Sequence, residues 1–278
     1  MKYAPAFFGE LIGTFILVFL GCSTVAVTVL FSAHTSLFHV AMLWGMAVTL
    51  AIYATRHLSC AHLNPAVTLA MVISRRMSID KLPVYLLAQL CGAFLAAVAV
   101  YMLFSQPIAE FELINGITRG TPQSVATAMI FGQFYPNPTL EIPLIISTGG
   151  AFAAEAVGTF IFIFMILALT EGCNVGRPDD NLAPLFVGVT LAVIISIIAP
   201  LTQAGLNPAR DLSPRVFAYL AGWDGVAFPE HWHGFFTVYV LGPLAGGTIA
   251  SLLFSWLIHP LMRGKDTELN SCCPVTDD

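Results

Sequence analysis

Two stretches of this chain are written twice. Glu10-Leu-Ile-Gly13-Thr14-Phe15-Ile-Leu-Val-Phe19 returns as Glu155-Ala-Val-Gly158-Thr159-Phe160-Ile-Phe-Ile-Phe164, and Asn64-Pro65-Ala66 returns as Asn207-Pro208-Ala209. The two glutamates lie almost as far apart as the two asparagines, which marks a tandem duplication. Each half holds three runs of membrane-crossing length. Spanning a ~30 Å hydrocarbon layer as a helix takes about 20 apolar residues. The stretches 7–31, 38–55, 84–104, 150–169, 182–201 and 235–261 meet that requirement. An odd number of spans per half sends the second copy into the membrane from the opposite side, giving an inverted repeat.

Composition supports the same class. Apolar residues make up 57% of the chain and charged residues only 10%, and mean hydropathy is +0.83. Soluble domains carry about 25% charged residues. The apolar runs are continuous and do not alternate, which favours helices over a transmembrane barrel. The run at 7–31 is far longer than the ~7–15 residues of a signal-peptide core and contains Glu10, so it reads as the first span. A net charge of −5 points to no nucleic-acid partner. The six cysteines lack zinc spacing and read as buried small hydrophobes; no metal and no cofactor is expected.

The Asn-Pro-Ala copies read as helix starts, with asparagine as cap and proline at the first helical position. The apolar segments that follow, 67–73 and 212–220, are too short to cross. Ten helical residues rise about 15 Å, half the membrane, so two such half-helices could meet end to end. Basic residues set the orientation. Cytoplasmic termini place Lys2, Arg56, Arg75, Arg76, Lys81, Arg177, Arg263 and Lys265 inside, with Arg119, Arg210 and Arg215 outside. The first half-helix then enters from the inner face and the second from the outer.

Irregular backbone at membrane depth is tolerated where it lines a wet cavity or is buried in protein. Segments 59–63 and 203–206, including Cys60, Ala61, His62, Gln203 and Gly205, therefore display carbonyls as a ladder of acceptors. Asn64 and Asn207 add amide donors where two positive helix ends meet. A hydroxylated solute can follow that path, while cations and protons meet a positive barrier. Glu10 and Glu155 are buried carboxyl groups, suited to proton coupling or to accepting N–H bonds from the irregular loops; their symmetric placement favours the scaffold. Arg210 lies at membrane depth near the outer mouth and reads as functional. Asp211 and Arg215 read first as a local salt bridge.

These residues resemble the major intrinsic proteins, the aquaporin and glycerol-facilitator family, over nearly the whole chain. The double Asn-Pro-Ala, with Ala61-His62-Leu63 before the first copy and Arg210 after the second, carries the resemblance. It implies six spans plus two re-entrant half-helices in an all-α membrane protein, a homotetramer and one pore per subunit. Asp211 after Arg210, together with Arg215, Pro243-Leu244 and Tyr135, looks like the glycerol-conducting branch. Trp44 stands where the bacterial glycerol facilitator has its filter tryptophan. Ile195 stands where water-selective members have histidine. The resemblance thus implies a selectivity filter of Trp44, Ile195, Ala204 and Arg210. Ile195 and Ala204 depart from the glycine and phenylalanine of the bacterial facilitator and are closer to the plant nodulin-like branch. Cys60 replaces the glycine usual before Ala-His-Leu.

The expected unit is a channel domain over 1–266, with repeats at 1–104 and 146–266, a loop at 105–145 that folds over the outer mouth, and a cytoplasmic tail at 267–278. The expected function is a passive, non-enzymatic channel for glycerol and similar small neutral solutes, with water permeability, in a plasma (inner) membrane. A mainly water-selective aquaporin is the nearest alternative, and a proton-coupled transporter using Glu10 and Glu155 a more distant one. No Ser/His/Asp or metal-ligand constellation points to an enzyme. His231-Trp232-His233 reads as an interfacial loop, and Cys272-Cys273 as part of a polar tail.

Overall fold

The computed structural model describes residues 3–34, 36–139, 145–229 and 231–263, the side chains of His231 and Trp232 excepted. The described chain is helical. Three helices of the first half cross the membrane: α1 (Ala4–Phe31), α2 (Leu37–Ser59) and, after the half-helix α3 (Pro65–Ile73), α4 (Leu82–Ile114). The second half repeats the order with α5 (Thr148–Leu169), α6 (Ala183–Thr202), the half-helix α7 (Pro208–Ala218) and α8 (His233–Arg263). The six long helices are each apolar enough to cross a bilayer, and the protein is an integral membrane protein.

Packing repeats with the sequence. In the first half α1 packs against α2 and α4, and in the second α5 packs against α6 and α8. The half-helices cross between halves: α7 packs on α4, and α3 on α8. Helices α2 and α6, equivalent in the two copies, pack on each other. These pairings are those of two inverted copies related by a twofold axis in the membrane plane.

The α2–α6 contact rests on backbone approaching backbone. A Cβ at Gly45 would lie 2.4 Å from the Gly188 carbonyl oxygen, and one at Gly188 would lie 2.3 Å from the Gly45 oxygen. Lipid supplies no hydrophobic drive between helices, so close packing of small residues has to hold them. Thr49 adds a hydroxyl that donates to the Gly45 carbonyl at 3.0 Å and approaches the Pro184 carbonyl at 3.3 Å.

One boundary differs from the sequence expectation. Helix α4 runs ten residues past 104, through Pro107, to Ile114. Beyond the apolar span this extension buries Ile108 and Glu112. Glu112 accepts from Arg119 Nη2 at 2.8 Å and from the Thr127 hydroxyl at 2.7 Å. The Arg119 guanidinium in turn lies 4.1 Å from the Trp223 ring centre. A charged network beyond the apolar span keeps the helix wound where apolar content alone would end it.

Gly45→Ala and Gly188→Ala should each lower thermal stability, by roughly 1–3 kcal/mol for an overpacked contact. Gly149→Ala, whose nearest neighbour would be 4.0 Å away, should leave the melting temperature unchanged. Equal melting temperatures for all variants in detergent would remove the close-approach argument.

Candidate functional site

The site is built where the chain stops being helical inside the membrane. Before Asn64, residues Cys60, Ala61 and Leu63 take φ values of 68°, 51° and 55°; before Asn207, residues Gln203, Ala204 and Leu206 take 59°, 57° and 54°. Left-handed backbone at such residues costs on the order of 1–3 kcal/mol each and persists only when its surroundings hold it. The duplicated glutamates do so. Glu10 accepts from the backbone N–H of His62 at 2.8 Å and of Leu63 at 2.7 Å, and from the Gln89 amide at 2.7 Å. Glu155 accepts from the N–H of Gly205 at 2.9 Å and of Leu206 at 2.7 Å, and from the Thr202 hydroxyl at 2.5 Å. Both side chains are fully buried. With the N–H groups turned onto the glutamates, the loop carbonyls are left for other partners.

Each asparagine works in two directions. Its Oδ1 caps its own half-helix: Asn64 accepts from Ala66 N–H at 2.8 Å, and Asn207 from Ala209 and Arg210 N–H at 3.1 and 3.2 Å. Its Nδ2 reaches into the other copy, Asn64 donating to the Leu206 carbonyl at 2.9 Å and Asn207 to the Leu63 carbonyl at 2.8 Å. The half-helices α3 and α7 thereby meet N-terminus to N-terminus, and their partial positive charges face one point.

Beside that junction lies a cavity of about 880 Å³. Its walls run from Arg56, Arg76 and Thr170 at the rim where α1 begins to His34, Ser36 and Thr139 at the opposite rim. The cavity is lined by the sequence-predicted residues Cys60, Ala61, His62, Asn64, Gln203, Gly205 and Asn207, and by Trp44, Ile195, Ala204 and Arg210. The Arg210 guanidinium carbon lies 4.4 Å from the centre of the Trp44 ring. Its two terminal nitrogens have no hydrogen-bond partner among the described residues. Trp44 fits because its neighbour on α1 is Gly21, where a Cβ would lie 2.2 Å from the ring. The guanidinium thus packs on the indole in a cation–π contact, and Nη1 lies 3.7 Å from Asp211 Oδ1. An apolar ring and unbonded N–H donors lie side by side on the cavity wall, a combination that suits a solute carrying both carbons and hydroxyls.

The other predicted residues stand apart from the cavity. Asp211 and Arg215 are fully buried and paired, with Nε donating to Oδ2 at 2.7 Å, and Asp211 also accepts from Gln133 N–H at 2.8 Å. Arg215 donates further to the carbonyls of Ala227, at 2.6 Å, and Gln133. This pair ties α7 to the loop after α4. Tyr135 is buried beside Tyr239, and Pro243 and Leu244 lie in α8, none of them on the cavity wall. The loop after α4 contributes Met129, Gln133, Asn137 and Thr139 to the wall. Gln203 accepts from Phe134 N–H at 2.8 Å, and the Asn137 amide donates to the Ala199 carbonyl at 2.8 Å, which fasten that loop to the end of α6.

Sequence reading missed several residues that hold the site. Gln89 bridges Glu10 and the Thr68 hydroxyl. Tyr85 donates to the Ser59 carbonyl, and Tyr239 to the Thr202 carbonyl at 2.9 Å. These tyrosines carried a signal: Tyr85 with Gly92 recurs as Tyr239 with Gly246 at the same internal spacing. Among the described residues no metal-ligand cluster lies on the cavity wall. His231, Trp232 and Cys272-Cys273 have side chains outside the described set.

The sequence profile of the family described as Major intrinsic protein matches residues 1–254. The chain is 40% identical to the glycerol uptake facilitator protein of Haemophilus influenzae over 257 residues, covering 92% of this chain and 93% of that protein. It is 39% identical to the glycerol uptake facilitator protein of Escherichia coli K12 over 250 residues, covering 90% and 86%. Identity to the propanediol uptake facilitator of Salmonella typhimurium is 34% over 264 residues, covering 95% of each. The X-ray structure of the aquaglyceroporin from Plasmodium falciparum superposes with a TM-score of 0.79 at 28% identity, over 94% of this chain and 99% of that one. With the family profile matched along almost its whole length, on a fold of inverted halves joined at paired half-helices, the chain belongs to the major intrinsic protein family.

Proposed function

We propose that this protein is a passive channel for glycerol and related small uncharged solutes, with accompanying water permeability. The observation that carries this reading is the cavity in which Arg210 lies against Trp44 and its terminal N–H groups make no hydrogen bond among the described residues. A linear polyol would lay its carbons on the indole while Arg210 and the loop carbonyls take its hydroxyls. At the junction Asn64 and Asn207 would donate to a passing hydroxyl or water, and the facing helix ends would repel cations and protons. Ile195 and Ala204 present only apolar surface, which suits a carbon backbone better than a single file of water. Relatives named for glycerol and propanediol uptake support the same solute class, and family membership supports a channel over an enzyme.

Glu10 and Glu155 act in this reading as loop scaffolds, because the N–H groups they accept belong to the pore segments themselves. Residues 1–266 form one channel unit and 267–278 its tail. Arg56, Arg75, Arg76, Lys81, Arg177 and Arg263 favour a cytoplasmic location for the rim where α1 begins, in the plasma (inner) membrane. The assembly is a homotetramer with one pore per subunit, as the family resemblance implies.

Proteoliposomes should swell rapidly in an inward glycerol gradient and not in a sorbitol gradient, at a rate indifferent to a proton uncoupler. Water flow without glycerol flow would overturn the solute assignment, and collapse under uncoupler would replace the channel with a coupled transporter. Trp44→Phe combined with Ile195→His should lower glycerol flux about tenfold relative to water flux, a barrier change of ~1.4 kcal/mol. Equal losses of both fluxes would displace the filter from these residues. Arg210→Ala should raise proton or cation conductance in planar bilayers, and an unchanged leak would argue against its place in the barrier.

A further inference from the structure

A second group of ligand-type side chains lies outside the pore, at the rim where α1 begins. Glu171 and Cys173 belong to the turn after α5, and His259 sits near the end of α8. One ligand atom from each comes within 4.8 Å of the others. One pair, His259 Nε2 and Glu171 Oε1, is 3.7 Å apart. Two ligands on one tetrahedral zinc ion are separated by roughly 3.3–3.6 Å, given bonds of ~2.0–2.3 Å. With all three atoms within 4.8 Å of one another, sharing an ion requires them to close by at most about 1.5 Å.

The surroundings hold this arrangement without consuming it. Glu171 divides its oxygens: Oε2 accepts from Arg76 Nη2 at 2.5 Å, while Oε1 receives only a long bond, 3.3 Å, from Cys173 N–H. The turn is fixed independently, since the Asn174 amide donates to the Ala168 carbonyl at 2.9 Å and Asn174 N–H to the Glu171 carbonyl at 3.0 Å. The Cys173 thiol is free and half-buried. His259 makes no hydrogen bond among the described residues beyond its approach to Glu171. Carboxylate, thiolate and imidazole together select a borderline-soft transition metal, and the thiolate disfavours Mg²⁺ and Ca²⁺.

We propose that Glu171, Cys173 and His259 form a zinc-class metal site with one open coordination position, joining the α5–α6 turn to α8. The site touches the pore rim through Glu171 alone. Arg76, which lines the cavity, holds the same carboxylate from its other oxygen and also donates to the Thr170 hydroxyl at 2.9 Å. An ion on Oε1 leaves the Arg76 bond to Oε2 in place, so occupancy fastens the rim. This site stands whatever solute the pore carries.

The test is Co²⁺ titration of the detergent-purified full chain, read by absorbance, with Zn²⁺ competition. One Co²⁺ per chain should produce a thiolate-to-metal charge-transfer band that Zn²⁺ displaces. Cys173→Ser should abolish the band, and His259→Asn should weaken binding at least about tenfold, the usual scale for a weakened metal site. Cys60→Ser, and Cys272→Ser with Cys273→Ser, should leave the band intact. Zn²⁺ should also raise the melting temperature of the native chain, because it binds the folded state, and leave that of Cys173→Ser unchanged. Absence of a saturable band in the native chain, or a band that survives Cys173→Ser or vanishes with the other cysteine replacements, would overturn the proposal.

Discussion

Everything in this protein depends on two helix ends of like partial charge being held together in the middle of a membrane. Left alone, the N-termini of α3 and α7 would repel, and their first N–H groups would be unsatisfied. The asparagines resolve both problems with one side chain each. Oδ1 accepts from the helix that the asparagine begins, and Nδ2 donates to the carbonyl just before the other asparagine. The junction is thus a closed loop of hydrogen bonds across the pseudo-twofold axis. Lengthening either half-helix, or shifting its register by a residue, would separate donor from acceptor on both sides at once.

The loops feeding the junction carry the cost. Six residues before the asparagines sit in left-handed backbone, and the stretches are pinned from outside the pore by Glu10 and Glu155 and by tyrosines from α4 and α8. The two brackets are not identical. Gln89 supplies the third donor to Glu10, whereas α8 has Pro243 at the corresponding place, and the hydroxyl of Thr202 serves Glu155 instead. Duplication preserved the geometry of acceptance while the donor side chains diverged. The pore wall is therefore backbone turned inward by side chains on the far side.

The architecture could be read from the sequence because it follows from counting: apolar runs, the repeated words, and segments too short to cross. The half-helix starts were legible for the same reason, since Asn-Pro has a local physical meaning. The residues proposed for the filter were reached by resemblance; Trp44, Ile195, Ala204 and Arg210 all line the same cavity. What escaped was long-range. Nothing local in Gln89, Tyr85 or Tyr239 says that each reaches a loop on another element. The extension of α4 to Ile114 depends on Glu112 meeting Arg119 and Thr127 after the chain has turned back. The Glu171, Cys173 and His259 group escaped likewise, because its members come together only once α8 packs on α5.

In the proposed channel, solute travels past the junction, along the cavity beside it, against the loop carbonyls and the asparagine amides. An experimental density map of the protein equilibrated with glycerol tests that path most directly. The account predicts ordered glycerol with its carbons against Trp44 and hydroxyls within hydrogen-bond distance of Arg210, followed by solute or water density at Asn64 and Asn207. A dry cavity at the junction, with glycerol bound only at the rims or at the lipid-facing surface, would contradict it.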